Sequence, residues 1–210
     1  MLNDLSIQFN SLLTQIPLLG VVLGYLSGML PFAVIIAKVG GVNPMRSGSK
    51  NPGASNVGRL LGLKWGVIVL LFDSMKGFLP VWLMLDTLGL TWSSAVGVSA
   101  VIGHCYSPIL SGKGGRGVAT SLGALVALHS GLASISGLIW IMSVFITRKA
   151  AYASLILALT LLVLSSYAGV HVAIHLFSLA VASLIIVRHW SYVKQLSTVQ
   201  KKRRSQIRWW

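Results

Sequence analysis

The chain has 210 residues, of which 55% are hydrophobic and only 10% are charged. Soluble domains carry about a quarter charged residues, so this composition excludes an ordinary soluble domain, a disordered chain and a disulfide scaffold. The 17 Lys and Arg residues outnumber three Asp and Glu, which gives a net charge of +14. The apolar excess predicts helices embedded in lipid, and the single cysteine, Cys105, is interpreted as a packing residue rather than a nucleophile.

Uncharged runs of about 20 residues, the length that crosses a bilayer as a helix, recur along the chain. Three of them have the length of one span, at 16–37, 65–85 and 92–110. Two longer runs, each with a weak break in the middle, are predicted to form two helices apiece, at 118–146 and 150–187. The predicted fold class is an all-α polytopic membrane protein with about seven transmembrane helices.

The basic residues decide between six and seven spans, because Lys and Arg of short loops lie on the cytoplasmic side. With seven spans and the N-terminus outside, that side receives every basic residue except Lys76, while Asp4 and Asp86 fall outside. Six spans would place the basic C-terminal tail outside. We therefore predict one integral-membrane domain at 1–196 and a basic cytoplasmic tail at 197–210 that lies on the membrane surface.

Asp73 and Lys76 lie inside the second predicted span, three residues apart. On a helix this spacing places both side chains on one face, where they can pair and offset part of the cost of a charge in the membrane. The pair is interpreted either as a clamp between helices or as a direct contact to substrate. Both interpretations turn this face toward the interior of the bundle.

Two predicted cytoplasmic loops are rich in glycine and basic residues. The first, 46–59, reads RSGSKNPGASNVGR and combines glycines, hydroxyls and amides with three cations, and the second, 112–120, reads GKGGRGVAT and runs into a helix. Glycines let backbone N–H groups approach a phosphate closely, and a helix N-terminus adds partial positive charge. The loops indicate a site for one or more phosphorylated molecules, with flexible loops that only set topology as the alternative.

The positions of the carboxylates exclude some catalytic mechanisms, because the chain has no Asp or Glu after Asp86. A His-x4-Asp acyltransferase pair is therefore absent, and the later loops cannot supply a Ser-His-Asp triad. His171 and His175 share a helical spacing but are interpreted as packing or interfacial residues, and the five histidines form no metal-ligand pattern. We expect no metal or cofactor, and a reaction of an already activated substrate stabilised by cations and backbone donors.

Three segments resemble motifs of the bacterial acyl-phosphate:glycerol-3-phosphate acyltransferases, the PlsY family. They are SKNPGASN through Arg59 in the first loop, the Asp73-x-x-Lys76-Gly77 element, and the stretch from Gly103 through the second loop to Thr120. The resemblance implies a bacterial inner-membrane enzyme with its active site on the cytoplasmic side. Such an enzyme transfers a fatty acyl group from acyl phosphate to the sn-1 hydroxyl of glycerol 3-phosphate, giving lysophosphatidate and phosphate without coenzyme A. The acyl phosphate would come from a phosphate acyltransferase acting on acyl-carrier protein.

The resemblance also implies roles for individual residues. Ser49, Arg59, Lys113 and His189 form the implied catalytic set, in which Arg59 holds one phosphate and Lys113, with Arg116 and the loop amides, binds the other. The implied substrate-binding residues lie in the same motifs; they are Asn51, Gly53, Ser55, Asn56, His104, Gly114, Gly115, Arg116, Gly117, Thr120 and Tyr192. The implied partners are the two substrates and membrane lipid, with no nucleic acid.

A further segment, 188–196, resembles what is called the third motif of the family but departs from its pattern, which is Arg-His-x-x-Asn-x-x-Arg-Leu followed by Gly-x-Glu. Arg188 and His189 are retained, whereas Tyr192 stands at the Asn position, Gln195 at the second Arg, and the Glu is missing. A phenol offers one hydroxyl where an amide offers two donors and a carbonyl. This departure leaves a divergent paralogue with altered or no activity as one alternative to the enzyme. A transporter of organic phosphates or anions, which would also have basic, glycine-rich loops, is the other.

Overall fold

The structure is a computed structural model that describes residues 17–190. Asp4, Tyr192, Gln195 and the basic tail lie outside the described residues. Within 17–190 the regular elements are all helical, which confirms the predicted all-α class. The helices are α1 Pro17–Gly28, α2 Phe32–Val39, α3 Ala54–Leu61, α4 Leu63–Cys105, α5 Val118–Leu128, α6 Ser130–Thr147, α7 Ala150–Tyr167 and α8 Val172–Arg188, with a 3-10 turn at Pro108–Leu110.

Four helical segments of the described chain are long and apolar enough to cross a membrane: Pro17–Val39, Leu63–Leu110, Ser130–Thr147 and Ala150–Tyr167. The apolar helices α5 and α8 are shorter. At 1.5 Å per residue, the 11 residues of α5 rise about 16 Å, roughly half the thickness of a hydrocarbon core. The seven spans and the external N-terminus stay predictions.

The first predicted span, 16–37, is two helices rather than one. α1 ends at Gly28 and α2 begins at Phe32, because Pro31 lacks the N–H that would continue the helical hydrogen bonds. Lys76 Nζ donates to the Leu30 carbonyl oxygen at this break, at 2.9 Å. A buried cation therefore adds a second donor to this carbonyl oxygen, which also accepts from the Phe32 N–H at 3.1 Å, and it ties α4 to the break.

The second and third predicted spans, 65–85 and 92–110, correspond to the two helical parts of α4, which meet at Gly89 without a loop between them. The chain changes direction at Gly89, whose φ of 68° and ψ of 176° suit a residue without a side chain. Helical structure then ends at Cys105, earlier than predicted. Both longer runs do form two helices, with breaks after Leu128 and Tyr167, as predicted.

Glycines set how closely the helices cross. α1 turns Gly20, Gly24 and Gly28 inward against α4, a small-residue spacing that lets two backbones approach in a membrane. α4 and α5 cross in the same way, because a Cβ on Gly77 would overlap the Thr120 carbonyl group. This crossing brings the segment around Asp73 beside the first turn of α5.

Two apolar clusters hold the helices in place. The larger one joins α4, α5, α6, α7 and α8 around fully buried side chains that include Leu125, Leu157 and Phe177. The smaller one lies beneath α3, where Val57 packs with Ala37 and Val69. The small cluster fixes the first glycine-rich loop and α3 on the first half of α4.

Candidate functional site

A cavity of about 330 Å³ lies between α3 and the first half of α4 on one side and α5, α6 and α7 on the other. Ten residues predicted from the motifs line it: Ser49, Asn51, Gly53, Ser55, Asn56, Arg59, His104, Arg116, Gly117 and His189. The structure therefore brings the first loop, the second loop and His189, near the start of the third motif, to one site. Asp73 also lines the cavity.

Asn56 shapes the first loop. Its Nδ2 donates to the carbonyl oxygens of Pro44 and Ser47, at 2.9 and 3.1 Å, and its Oδ1 accepts from the Ser49 N–H at 2.9 Å. The side chain is 1% exposed, so both of its donor hydrogens are used within the protein. The structure thus gives Asn56 a positioning role, and Ser49 owes its place at the cavity to it.

Arg59 enters the site from a short helix that the sequence did not predict. α3 begins at Ala54, directly after the loop, and carries Arg59 in its last turn. The preceding loop turns sharply at Gly48, whose φ is 61° and whose missing Cβ would overlap Asn56 Oδ1. The exposed Arg59 side chain is therefore anchored through α3 and remains open to an anion in the cavity.

The glycine-rich loop, defined here as residues 112–117, packs on His104. The Gly115 N–H donates to the His104 carbonyl oxygen at 3.1 Å, and a Cβ on Gly115 would overlap the imidazole. A Cβ on Gly114 would overlap the His104 carbonyl group. Gly114 thus permits close packing of backbone on backbone and Gly115 permits packing against the imidazole, and neither residue lines the cavity.

Asp73 and Lys76 form a buried ion pair, with Asp73 Oδ1 2.9 Å from Lys76 Nζ. His104 Nδ1 lies 3.7 Å from the same carboxylate oxygen. Lys76 on α4 also donates to the Leu30 carbonyl oxygen, at the break between α1 and α2. Of the two interpretations of the pair, the clamp between helices therefore fits Lys76. Asp73 faces both the clamp and the cavity.

His189 follows α8 directly and is 1% exposed. Its Nδ1 lies 2.8 Å from the Ile185 carbonyl oxygen, and because a carbonyl only accepts, Nδ1 carries the proton and Nε2 is the acceptor of the neutral ring. Burial, with the positive charges of Arg116 and Arg188, lowers the pKa of His189 to about 4, against the opposing effect of the Ile185 bond. The imidazole is therefore neutral at pH 7.

One wall of the cavity was missed by the sequence analysis, which assigned the basic residues between α6 and α7 to topology alone. This wall contains Trp140, Arg148, Lys149, Tyr152 and Ser154. Lys149 Nζ lies 5.2 Å from the centre of the Tyr152 ring, within range of a cation–π interaction. The available signal was the position of Arg148 and Lys149 on the same predicted side of the membrane as the two glycine-rich loops.

Other predicted residues lie away from the cavity. Lys113 is exposed and does not line it, and Thr120 is fully buried where α5 crosses Gly77. Tyr192 lies outside the described residues. Substrate contacts by these three residues stay predictions. Cys105 is fully buried, as expected of a packing residue.

A family model described as glycerol-3-phosphate acyltransferase matches residues 18–198 of this chain. The chain belongs to this family. The resemblance inferred from the three matching segments is confirmed. The family match also includes residues 188–196, where the divergent third motif lies. The site geometry described above is thus that of a glycerol-3-phosphate acyltransferase family member.

Relatives in the family support the match over most of the chain. The glycerol-3-phosphate acyltransferase of Aquifex aeolicus is 35% identical over 185 residues, which cover 87% of this chain and 96% of the relative. That of Neisseria meningitidis serogroup B is 37% identical over 182 residues, covering 84% and 91%. That of Bordetella petrii is 41% identical over 142 residues, covering 66% and 67%.

Crystal structures of PlsY, described as an integral membrane glycerol 3-phosphate acyltransferase, share the fold. Its glycerol 3-phosphate form has a TM-score of 0.81 and 35% identity, covering 87% of this chain and 92% of that one. Its lysophosphatidic acid form has a TM-score of 0.80 with the same identity and coverage. This family member is therefore an integral membrane protein, in agreement with its apolar helices.

Proposed function

We propose that this protein transfers a fatty acyl group from an acyl phosphate to the sn-1 hydroxyl of glycerol 3-phosphate, without coenzyme A. The observation that carries the proposal is the charge of the cavity. Arg59, Arg116, Arg148 and Lys149 line it, and the carboxylate among its lining residues, Asp73, is already paired with Lys76. Two phosphate groups bring about three to four negative charges at neutral pH, which this set of cations matches.

The donor chemistry suits a site of this kind. An acyl phosphate is a mixed anhydride whose leaving group is phosphate, so transfer needs no nucleophile from the protein. The substrate hydroxyl oxygen attacks the acyl carbonyl carbon, the bond from that carbon to the phosphate oxygen breaks, and inorganic phosphate departs. The cations stabilise the charge that develops on the phosphate, and the cavity holds both substrates in reacting geometry.

The hydroxyl proton goes to the departing phosphate oxygen, so that the acyl phosphate dianion leaves as hydrogen phosphate and the protons balance. His189 is a weak base, because its pKa is about 4, and an efficient general base has a pKa near the working pH. Its neutral ring nevertheless presents Nε2 as an acceptor. We assign it to orienting the attacking hydroxyl by a hydrogen bond, with the proton passing to phosphate.

The acyl chain lies between helices in this proposal. Leu70 on α4 and Trp140 on α6 face the same cavity, although α6 packs on α5 and α7 rather than on α4. An amphiphile can therefore place its phosphate among the cations and its chain along an apolar wall. Trp140 is held there by its Nε1, which donates to Ser154 Oγ at 3.5 Å.

The deciding experiment uses the purified full-length protein in detergent with labelled glycerol 3-phosphate. We expect lysophosphatidate and phosphate in equal amounts from an acyl phosphate, and no product from acyl-coenzyme A. Absence of product with the acyl phosphate would favour the paralogue or the transporter, and flux of glycerol 3-phosphate into sealed vesicles would then separate those two. Product formed equally well from acyl-coenzyme A would refute the proposed donor.

We also propose that the cavity opens to the cytoplasm of a bacterial cell, across the inner membrane. The support is the side shared by the glycine-rich loops and most basic residues under the positive-inside rule. Since Cys105 is buried, single reporter cysteines can be added at the exposed positions Asp86 and Ser111. An impermeant maleimide applied to intact spheroplasts should label Asp86→Cys and miss Ser111→Cys. The reverse pattern would overturn this orientation.

A further inference from the structure

Arg188 is the last residue of α8 and does not line the cavity. We propose that it is a positioning residue whose guanidinium latches the end of α8 onto the glycine-rich loop, so that Arg116 and His189 are held in one site. The kinetic consequence rests on the proposed function. The geometric consequence can be measured without it.

The latch consists of two hydrogen bonds from one planar group. Arg188 Nη2 donates to the Gly114 carbonyl oxygen at 2.7 Å, and Nε donates to the Gly115 carbonyl oxygen at 3.1 Å. Both bonds are charge-assisted and therefore stronger than bonds between neutral groups. A guanidinium offers donors in a fixed plane, whereas the ammonium of a lysine offers a point charge, so the arrangement is specific for arginine.

These bonds fix the peptide planes of the loop. In a trans peptide the carbonyl and the N–H of the next residue point in opposite directions. Holding the Gly115 carbonyl therefore sets the direction of the Arg116 N–H. The Gly115 N–H is itself bound to the His104 carbonyl oxygen at 3.1 Å. The loop is thus held from one side by α4 and from the other by α8.

The latch also sets the position of its neighbour. The Arg188 guanidinium carbon lies 5.1 Å from the centre of the Tyr106 ring, which limits its freedom further. His189 is the next residue and lines the cavity. Any shift of Arg188 toward solvent would therefore move His189 and the Arg116 backbone apart, since one guanidinium joins the two segments.

Charge pairing does not explain Arg188. Within residues 17–190 the described carboxylate contacts involve Asp73, which forms an ion pair with Lys76 and lies 3.7 Å from His104 Nδ1. The described partners of the Arg188 side chain are two carbonyl oxygens and one aromatic ring. Its function is therefore tied to the geometry of the loop rather than to neutralising a carboxylate.

The test compares Arg188→Lys and Arg188→Gln with Lys64→Gln, which removes an exposed positive charge at the start of α4. Hydrogen–deuterium exchange of the full-length protein in detergent reports opening of residues 112–117. We expect exchange about tenfold faster there in both Arg188 variants, and a kcat/KM about ten- to a hundredfold lower, the range for loss of a charged hydrogen bond. The melting temperature should stay close to that of the wild type, and Lys64→Gln should change neither measurement.

Several results would overturn the latch. Wild-type exchange in Arg188→Lys would show that the guanidinium geometry is not needed. A lower melting temperature together with a smaller active fraction, and a wild-type KM in the enzyme that remains active, would show a general structural role. Failure of both variants to fold would show the same. A wild type that makes no lysophosphatidate would refute the proposed function instead, and the exchange measurement would still decide the latch.

Discussion

The two glycine-rich loops of the site are held in different ways. The first loop holds itself, because the Asn56 side chain binds backbone groups of Pro44, Ser47 and Ser49, all within 12 residues. The second has one contact close in sequence, to the His104 backbone on α4, and is also held by Arg188 at the end of α8, more than 70 residues away. The shape of the first loop therefore depends on local sequence, and that of the second depends on the assembled bundle.

The largest loss of activity and stability is expected from a substitution that disrupts the hydrogen bonds of the first loop. Asn56→Asp keeps an acceptor for the Ser49 N–H but removes both donors, and it places a carboxylate against the Pro44 and Ser47 carbonyl oxygens. An unsatisfied buried polar group costs about 1–3 kcal/mol, so two of them should lower stability by several kcal/mol. We expect kcat/KM to fall by more than about a hundredfold, together with the melting temperature.

Asn43 offers a matched control for this change. It is an exposed residue just before the first loop, and its Oδ1 accepts from the Met45 N–H at 2.9 Å. Asn43→Asp keeps that acceptor and removes donors that have solvent nearby. Its activity should stay close to wild type. Comparable losses in both variants would show that the first loop is not specifically organised by Asn56.

The second loop can be broken at its contact with α4. Gly115→Ala would place a Cβ in the space of the His104 imidazole, so the loop or the ring must shift. A displacement of about 1 Å at a site of this kind can reduce the rate about a hundredfold, and we expect a loss of that order in lysophosphatidate formation. Gly137→Ala, in open space on α6, is the control and should be neutral or slightly stabilising. Full activity of Gly115→Ala would mean that the packing on His104 does not position the loop.

The two cations of the second loop sharpen the comparison further. Arg116 lines the cavity, whereas Lys113 is exposed and does not. Loss of one charged hydrogen bond costs about 1.5–3 kcal/mol, so Arg116→Gln should lower kcat/KM roughly ten- to a hundredfold. If Lys113 stays outside the cavity when substrate binds, Lys113→Gln should change kcat/KM less than about threefold, through long-range charge alone. Equal losses would place Lys113 at the phosphate after all.

The difference between the loops also explains what could be read from the sequence. Arg59, Ser49 and Asn51 were predicted together because their loop is a continuous motif. Asn56 was predicted in the right place with a different role, since an amide that binds substrate and an amide that binds its own loop are indistinguishable in sequence. The sequence motif therefore predicted that Asn56 lies at the site, whereas the hydrogen-bond partners of its side chain are known only from the structure.

Contacts between residues that are far apart in the sequence have no comparable sequence pattern. Arg188 resembles any basic residue at the cytoplasmic end of a helix, and Arg148 and Lys149 were explained by topology alone. The Asp73 and Lys76 pair was predicted from helical spacing, yet its contact at Leu30 depends on a helix break that the uncharged run at 16–37 concealed. Proline in that run was the available evidence for the break.

The smallest expected effect concerns His189, which follows the end of α8. We expect it in the pH dependence of the free energy of unfolding. Burial lowers the pKa of His189 to about 4 in the folded protein, while an unfolded histidine has a pKa of about 6.5. Between these values the unfolded state binds more protons, so the free energy of unfolding falls as pH decreases. The contribution of His189 is therefore fully present above about pH 6.5 and is lost progressively toward pH 4.

At pH 5.5 the loss amounts to about 1.4 kcal/mol relative to pH 8. His189→Gln removes this titration, so its stability should decline less than that of the wild type between the two pH values, even if it is less stable at both. Melting temperatures in detergent at pH 8 and 5.5 measure the difference, in which the titration of Asp73 is common to both proteins. Parallel declines in wild type and variant would show that His189 protonates as readily in the folded protein as in the unfolded chain. In that case its Nε2 would be charged in acid, and its proposed role as a neutral acceptor for the substrate hydroxyl would be confined to higher pH.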